Sequence, residues 1–471
     1  MFPNEDIFVP TPPIKIPEGL LERYVSLYKG LRSKLNPISW RSFITESKAI
    51  LGCLIPDATP LARDKFPKAK KLVKFLLKGT YMEKLYHEAL SSLGVSQRMV
   101  REDLDLLIVN AHHSSEPLFW GLIEEAKKEK LNFAGINPVG HYSDQQIRIL
   151  SPLAKYFTAK KILIITSTQG AYGGGVTLLV NVLRILRNEM LTRKTQDIDI
   201  VIPMFGGSRG HKINQLPEIG YEVLEMINNP KMLCLMIRDI KRKLALRKIK
   251  FPTVKFYSVD IHNEVLPART FAEYHFPFIN ILPSKEIAKE LFHVIKRKRL
   301  AKYPLSVIIC DSGAYTRAEN LIKAFLKYNS HYSHRVNAIN IKKERKQAGV
   351  IASAKIDEMT SYLLKNKKII KKPLTIPKIS YGPYTLFYID DMIDTGGTAK
   401  KDMEIVLSKF PNPRMKIFAA THPIFSKGLT PLDTIGADLY LIGNTLKVPG
   451  LKEIPKVTIV DVSRSIMEAV K

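Results

Sequence analysis

From about residue 104 onward the chain alternates between two patterns, and this alternation limits its fold more than any other feature. Short apolar runs rich in β-branched and aromatic residues occur at 106–109, 162–166, 198–202, 254–259, 306–310, 336–341, 386–389, 416–420, 439–442 and 457–460, with helical stretches between them. A continuous apolar run of four to six residues suits a strand buried on both faces, and strands separated by helices join in parallel. The pattern therefore indicates α/β architecture with mainly parallel sheets. Ten runs exceed one ordinary sheet, so two α/β units are expected. In such folds ligands sit beyond the carboxyl ends of the strands.

The first hundred residues read differently. After a proline-rich start (Pro3, Pro10, Pro12, Pro13, Pro17), stretches near 20–34, 42–51 and 65–93 carry apolar residues at helical spacing. The expected organisation is a helical extension over 1–103, a first α/β unit over 104–277 and a second over 278–471. Two basic stretches, 237–252 and 362–384, read as surface insertions, the second as a Lys/Pro-rich mobile loop.

Composition narrows the class. At 471 residues with 45% hydrophobic and 9% aromatic content, the chain has ample core for two or three globular domains. No apolar run approaches eighteen residues, and the start lacks the basic and apolar regions of a secretion signal. Cys53, Cys234 and Cys310 form no CxxC pair, as expected of core thiols in a reducing cytoplasm. The net charge of +29 is largely lysine on helical segments with few aromatics interleaved, which reads as a solvated surface. Neither a nucleic-acid nor a membrane partner is expected.

The chemistry concentrates at 385–398, Thr-Leu-Phe-Tyr-Ile-Asp-Asp-Met-Ile-Asp-Thr-Gly-Gly-Thr. A buried strand over 386–389 ends in Asp390 and Asp391; a tight loop follows, Asp394, Thr395, Gly396, Gly397 and Thr398, and then a helix from about residue 399 to 408. Glycines let backbone N–H groups turn toward a phosphate, threonines add hydroxyl donors, and a helix N-terminus adds partial positive charge. The acidic pair suits two neighbouring sugar hydroxyls. Phosphate and diol together describe a ribose 5-phosphate.

This run resembles the phosphoribosyl-diphosphate loop of type I phosphoribosyltransferases and, in its Asp-Asp-Met-x-Asp-Thr form, that of the ribose-phosphate diphosphokinases. Further matches to the second family fall in the same order along the chain. Asn110-Ala-His-His-Ser-Ser-Glu-Pro117 resembles its opening strand–loop–helix, and Tyr142-Ser-Asp144-Gln-Gln146 its adenine-contacting loop. The stretch from Ile202 to Arg209 resembles its Ile-Pro-x-x-Pro-Tyr-(Ala/Ser)-Arg segment, whose arginine binds ATP, and Val259-Asp-Ile-His262 its Asp-Leu-His signature at the Mg-ATP site. Cys310-Asp311-Ser-Gly resembles the Pro-Asp-x-Gly stretch that holds a second metal. Lys342-Lys343-Glu-Arg345-Lys346 resembles the flexible catalytic loop with its Lys-x-Arg pair. The stretches from Thr421 to Ser426 and Gly443 to Thr445 match the closing segments.

The resemblance covers roughly residues 105–471. It implies two tandem phosphoribosyltransferase-like domains with mainly parallel sheets, ATP on the first and ribose 5-phosphate on the second, and a homo-oligomer, at least a dimer. It implies Mg²⁺ as cofactor, held through His262 and Asp311, and transfer of the β,γ-diphosphoryl group of ATP to the anomeric hydroxyl. Lys343, Arg345 and His262 would be catalytic. Tyr142, Asp144, Gln146, Arg209 and His262 would bind ATP, while Asp390, Asp391 and residues 394–398 would hold ribose 5-phosphate.

Two departures fall on the nucleotide side. Pro-Tyr followed by Arg-Gln-Asp in typical members is here Gly206-Gly207, then Arg209-Gly210-His211, and the adenine-facing glutamate is Gln146. These put the donor nucleotide in question before the reaction. Alternatives are diphosphoryl transfer to another ribosyl acceptor such as ADP-ribose, or a catalytically silent regulatory paralogue. A phosphoribosyltransferase has no need of the second α/β half or the Lys-x-Arg loop.

Overall fold

The computed structural model describes residues 7–8, 102–136, 139–141, 147–149, 157–167, 195–205, 221–246, 248, 250–310, 312–328, 336–347, 350–365, 368–374 and 382–471. Apart from a two-residue strand and the first two residues of the strand that begins at Glu102, the expected helical extension lies outside them, as does Cys53.

Two sheets form the frame. The first has seven strands in the order β1-β3-β2-β6-β7-β8-β9. These are β1 (Ile7–Phe8), β2 (Glu102–Asn110), β3 (Phe133–Ile136), β6 (Phe157–Ile165), β7 (Asp197–Ile202), β8 (Thr253–Val259) and β9 (Phe278–Ile281), all parallel except the pairing of β1 with β3. A separate hairpin joins β4 (Val139–His141) to β5 (Ile147–Ile149). The helices described in this half are α1 (Glu116–Lys128), α2 (Tyr221–Leu246) and α3 (Val265–Glu273).

The second sheet has eight strands in the order β13-β12-β11-β10-β14-β15-β16-β17. They are β10 (Leu305–Ile309), β11 (Val336–Gln347), β12 (Val350–Lys365), β13 (Lys368–Leu374), β14 (Tyr384–Ile393), β15 (Pro413–Pro423), β16 (Leu439–Gly443) and β17 (Val457–Val460). β11 through β17 by way of β10 and β14 are parallel, while β11, β12 and β13 pair antiparallel, so the sheet is mixed. Its helices are α4 (Ser284–Arg297), α5 (Ser312–Tyr328), α6 (Gly397–Lys409), α7 (Pro431–Ile435) and α8 (Ser463–Val470). Among the described residues no helix is long and apolar enough to cross a membrane.

All ten apolar runs fall on strands, for the expected reason: β10 and β16 are buried at every residue. The basic stretches fall differently. Residues 237–246 continue the helix α2, and 362–365 and 368–374 belong to strands β12 and β13 instead of a mobile loop. Lys365, Lys368, Lys371 and Lys372 are exposed there, and an antiparallel pair at the edge of a sheet tolerates such residues.

The two halves interlock. β9 pairs with β8, so the first sheet continues to Ile281, past the expected division at 277. The last helix returns to the first half: Val462, Ile466, Met467 and Val470 of the α8 segment share one apolar cluster with Leu118, Phe119 and Leu122 of α1. Gly121 makes that approach possible, because a Cβ there would lie 2.0 Å from Ser463 Oγ. Met204, just after β7, joins Met392 of β14 and Leu446 in a smaller cluster across the seam.

Candidate active site

β14 runs farther than its apolar stretch predicts. Parallel pairing with β15 continues through Asp390↔Ala420, Met392↔His422 and Ile393↔Pro423, so the acidic pair lies inside the strand and the loop begins at Asp394. α6 then starts at Gly397, two residues before its sequence-based start. Gly396 stands at the turn with φ +75°, a left-handed conformation suited to glycine, and caps α6 with no side-chain hydrogen bond. The first N–H groups of α6 thus present an anion-binding terminus. Asp394 anchors the loop from behind: its Oδ1 accepts hydrogen bonds from the backbone N–H (3.0 Å) and hydroxyl of Ser426.

Across the seam the chain leaves β8 through Asp260, which has φ +45° and is 1% exposed. Its carboxylate accepts Arg317 Nε–H at 2.8 Å from each oxygen, and Thr421 Oγ1–H at 2.6 Å. Arg317, on α5, also lies 4.0 Å from Asp390 Oδ1. Burial works against its charge, but Asp260, Asp391 and Asp390 outweigh it and raise the guanidinium pKa. Two residues beyond Asp260, His262 places Nδ1 2.9 Å from Asp391 Oδ2. Burial alone would raise the Asp391 pKa; the hydrogen bond from His262 and the charge of Arg317 hold it well below the usual carboxylate range.

His422 completes the seam. Its Nε2 donates to the Val259 carbonyl at 2.8 Å, and its Nδ1 lies 2.9 Å from Thr445 Oγ1. Burial lowers its pKa against the pull of Asp260 and Asp391, which keeps the ring neutral. Two polar contacts therefore join the halves: the ion pair of Asp260 in the first with Arg317 in the second, and the hydrogen bond between His262 of the first and Asp391 of the second.

Lys343 and Arg345 lie on β11, opposite Ala354 and Ile351 of β12, where a flexible loop is expected. β10 pairs with β11 only as far as Asn340, so the rest of β11 overhangs the carboxyl edge as a hairpin with β12. Register shifts flank Arg345 on both sides. Tyr142, Asp144, Gln146, Arg209 and Asp311 lie outside the described residues. Sequence reasoning assigned no role to Asp260, Arg317, Thr421, His422 or Thr445. Asp260, Thr421, His422 and Thr445 lie within the last residues of a strand or just beyond it, a positional signal that says nothing of the partner.

No protein-family model matches the chain. No curated protein matches it significantly. Among solved structures it is similar to the crystal structure of phosphoribosylpyrophosphate synthetase from Mycobacterium smegmatis, with a TM-score of 0.51, 15% identity, and coverage of 78% of this chain and 97% of that one. The likeness is one of fold. A match to LpoA from Haemophilus influenzae, with a TM-score of 0.21, 8% identity, and coverage of 86% of this chain and 55% of that one, carries no argument.

Proposed function

We propose that the chain is a Mg²⁺-dependent ribose-phosphate diphosphokinase, transferring the β,γ-diphosphoryl group of ATP to ribose 5-phosphate to give phosphoribosyl diphosphate and AMP. One observation carries the reading: an uncapped glycine turn and helix N-terminus on the second sheet stand on the same seam as His262, and the His262–Asp391 hydrogen bond joins the two sides. A phosphoryl acceptor and a phosphoryl donor need such a meeting of two halves.

In this reading, backbone N–H groups of 396–398 and the hydroxyls of Thr395 and Thr398 hold the 5-phosphate, and the acidic end of β14 meets the sugar. The anomeric oxygen attacks the β-phosphorus, the bond from that phosphorus to the α,β-bridging oxygen breaks, and the hydroxyl proton leaves to solvent. Charge builds on the transferring group, and Lys343 and Arg345 on the overhanging hairpin would neutralise it. Tyr142, Asp144, Gln146 and Arg209 would bind the nucleotide.

In this reading Mg²⁺ would arrive with the nucleotide. The His262 side chain is 30% exposed, and its Nδ1 lies 2.9 Å from Asp391 Oδ2. His262 and Asp311 would hold the ion, and it would supply Lewis-acid neutralisation of the diphosphoryl oxygens.

Phosphorus NMR of the purified protein with ribose 5-phosphate, ATP and Mg²⁺ tests the proposal. AMP and phosphoribosyl diphosphate should appear together in equal amounts. Unchanged substrates across a panel of nucleoside triphosphates would sink it, and turnover with ADP-ribose alone would move the acceptor.

A further inference from the structure

The two members of the acidic pair do different work. Asp390 keeps 24% of its side chain exposed and Asp391 only 3%, because neighbouring residues on a strand point to opposite faces. Asp391 turns to the seam, where its carboxylate meets His262, 129 residues earlier in the chain and on the other half of the molecule. Arg317 adds its charge to the same carboxylate. A buried carboxylate committed in this way cannot turn to a sugar hydroxyl without leaving the His262 N–H and part of a guanidinium charge uncompensated. Asp390 is differently placed: one oxygen accepts the Asp391 backbone N–H at 2.9 Å, which fixes the carboxylate at the exposed edge of the strand.

We infer that Asp391 is a positioning residue that holds the His262 ring across the seam, and that Asp390 alone of the pair meets the acceptor's diol. The first half stands on geometry; the second rests on the ribose-phosphate reading of the site. His262 is thereby held as one tautomer, with its proton on Nδ1 and its lone pair on Nε2, before any substrate arrives. This corrects the simplest reading of two adjacent aspartates as a symmetric clamp on two hydroxyls.

The test combines a spectroscopic arm and a binding arm. Long-range proton–nitrogen correlation of ¹⁵N-labelled protein, at a pH where histidine is neutral and without ligand or metal, reports which nitrogen of His262 carries the proton. The expected result is Nδ1–H in the wild type and in Asp391→Asn, whose amide oxygen still accepts, and loss of that preference in Asp391→Ala. Calorimetric titration with ribose 5-phosphate should give dissociation constants within about threefold of wild type for both Asp391 variants, and at least about tenfold weaker for Asp390→Ala. Turnover should fall in Asp391→Ala and recover in part in Asp391→Asn. A wild-type His262 protonated on Nε2 overturns the inference, as does an Asp391→Ala variant that loses ribose 5-phosphate as severely as Asp390→Ala. If Asp391→Ala does not fold, the wild-type tautomer and the Asp391→Asn titration decide the matter. If the wild type does not bind ribose 5-phosphate at all, the proposed function fails, while the tautomer arm still decides the role of Asp391.

Discussion

Replacing Arg317 by Met keeps most of the side-chain volume and removes the only cation that bonds Asp260 among the described residues. Arg317 is 7% exposed, with Nε 2.8 Å from both Asp260 oxygens, so solvent does little to screen the pair. The substitution leaves Asp260 with the Thr421 hydroxyl, and takes a neighbouring positive charge from Asp390 and Asp391. Removing one partner of a buried ion pair costs about 3–5 kcal/mol. At roughly 2–4 °C per kcal/mol for units of this size, the midpoint of thermal unfolding should drop by about 10 °C. Scanning calorimetry measures it, and 0.5 M salt, roughly a strong screening condition for exposed pairs, should not close the gap. Adding Asp260→Asn to the Met variant should recover part of the loss, since it removes the stranded charge. A single variant within about 2 °C of wild type, or a double variant no better than the single, would refute the view of this pair as the strut between the halves.

Four further outcomes follow from the same geometry. Gly396→Ala forces a non-glycine residue into φ +75° with its Cβ 2.8 Å from Ile435 Cγ1, so it should lower stability by about 1–2 kcal/mol and weaken ribose 5-phosphate binding; Gly397→Ala, with nothing within 4 Å of its Cβ, should leave stability unchanged, as denaturant titration will show. Gly121→Ala should push the last helix off α1, seen as faster amide hydrogen exchange across 463–470 and a loss of about 1–3 kcal/mol. His422 is held neutral by burial, so the unfolded chain takes up its proton first; the stability it contributes is complete above the unfolded value, roughly pH 6.5, and is lost as pH falls below it. Unfolding midpoints measured from pH 7 to 5.5 should therefore fall less steeply in His422→Gln. Lys343→Ala should cut turnover by about 10²–10³-fold while leaving the ribose 5-phosphate dissociation constant nearly unchanged, and the reverse pattern would overturn its assigned role.

How far the fold could be read in advance depended on what each segment needed from its neighbours. β10 and β16 are buried throughout, and strands of that kind announce themselves as continuous apolar runs. β3 and β9 have four residues each, too few to show a period, and the exposed lysines of β12 and β13 follow no strand period and read equally well as loop. The end of β14 was misplaced by four residues because Asp390 and Asp391 interrupt the apolar run, while its pairing with β15 continues regardless of side-chain polarity. Ladder hydrogen bonds are made by the backbone, which the residue type does not report.

The sequence by itself determined the α/β class, the strand–loop–helix at 385–398 and the chemistry its residues offer, because period, residue type and turn preference act over a few neighbouring positions. Tertiary structure alone decided who meets whom: Asp260 with Arg317 across 57 positions, His262 with Asp391 across 129, and Ser463 with the α1 backbone across 345. Those pairings depend on how two sheets bring their carboxyl edges together, a property of packing between distant segments. Nothing local to either partner specifies it, and so two adjacent aspartates with the same name have different surroundings and different work.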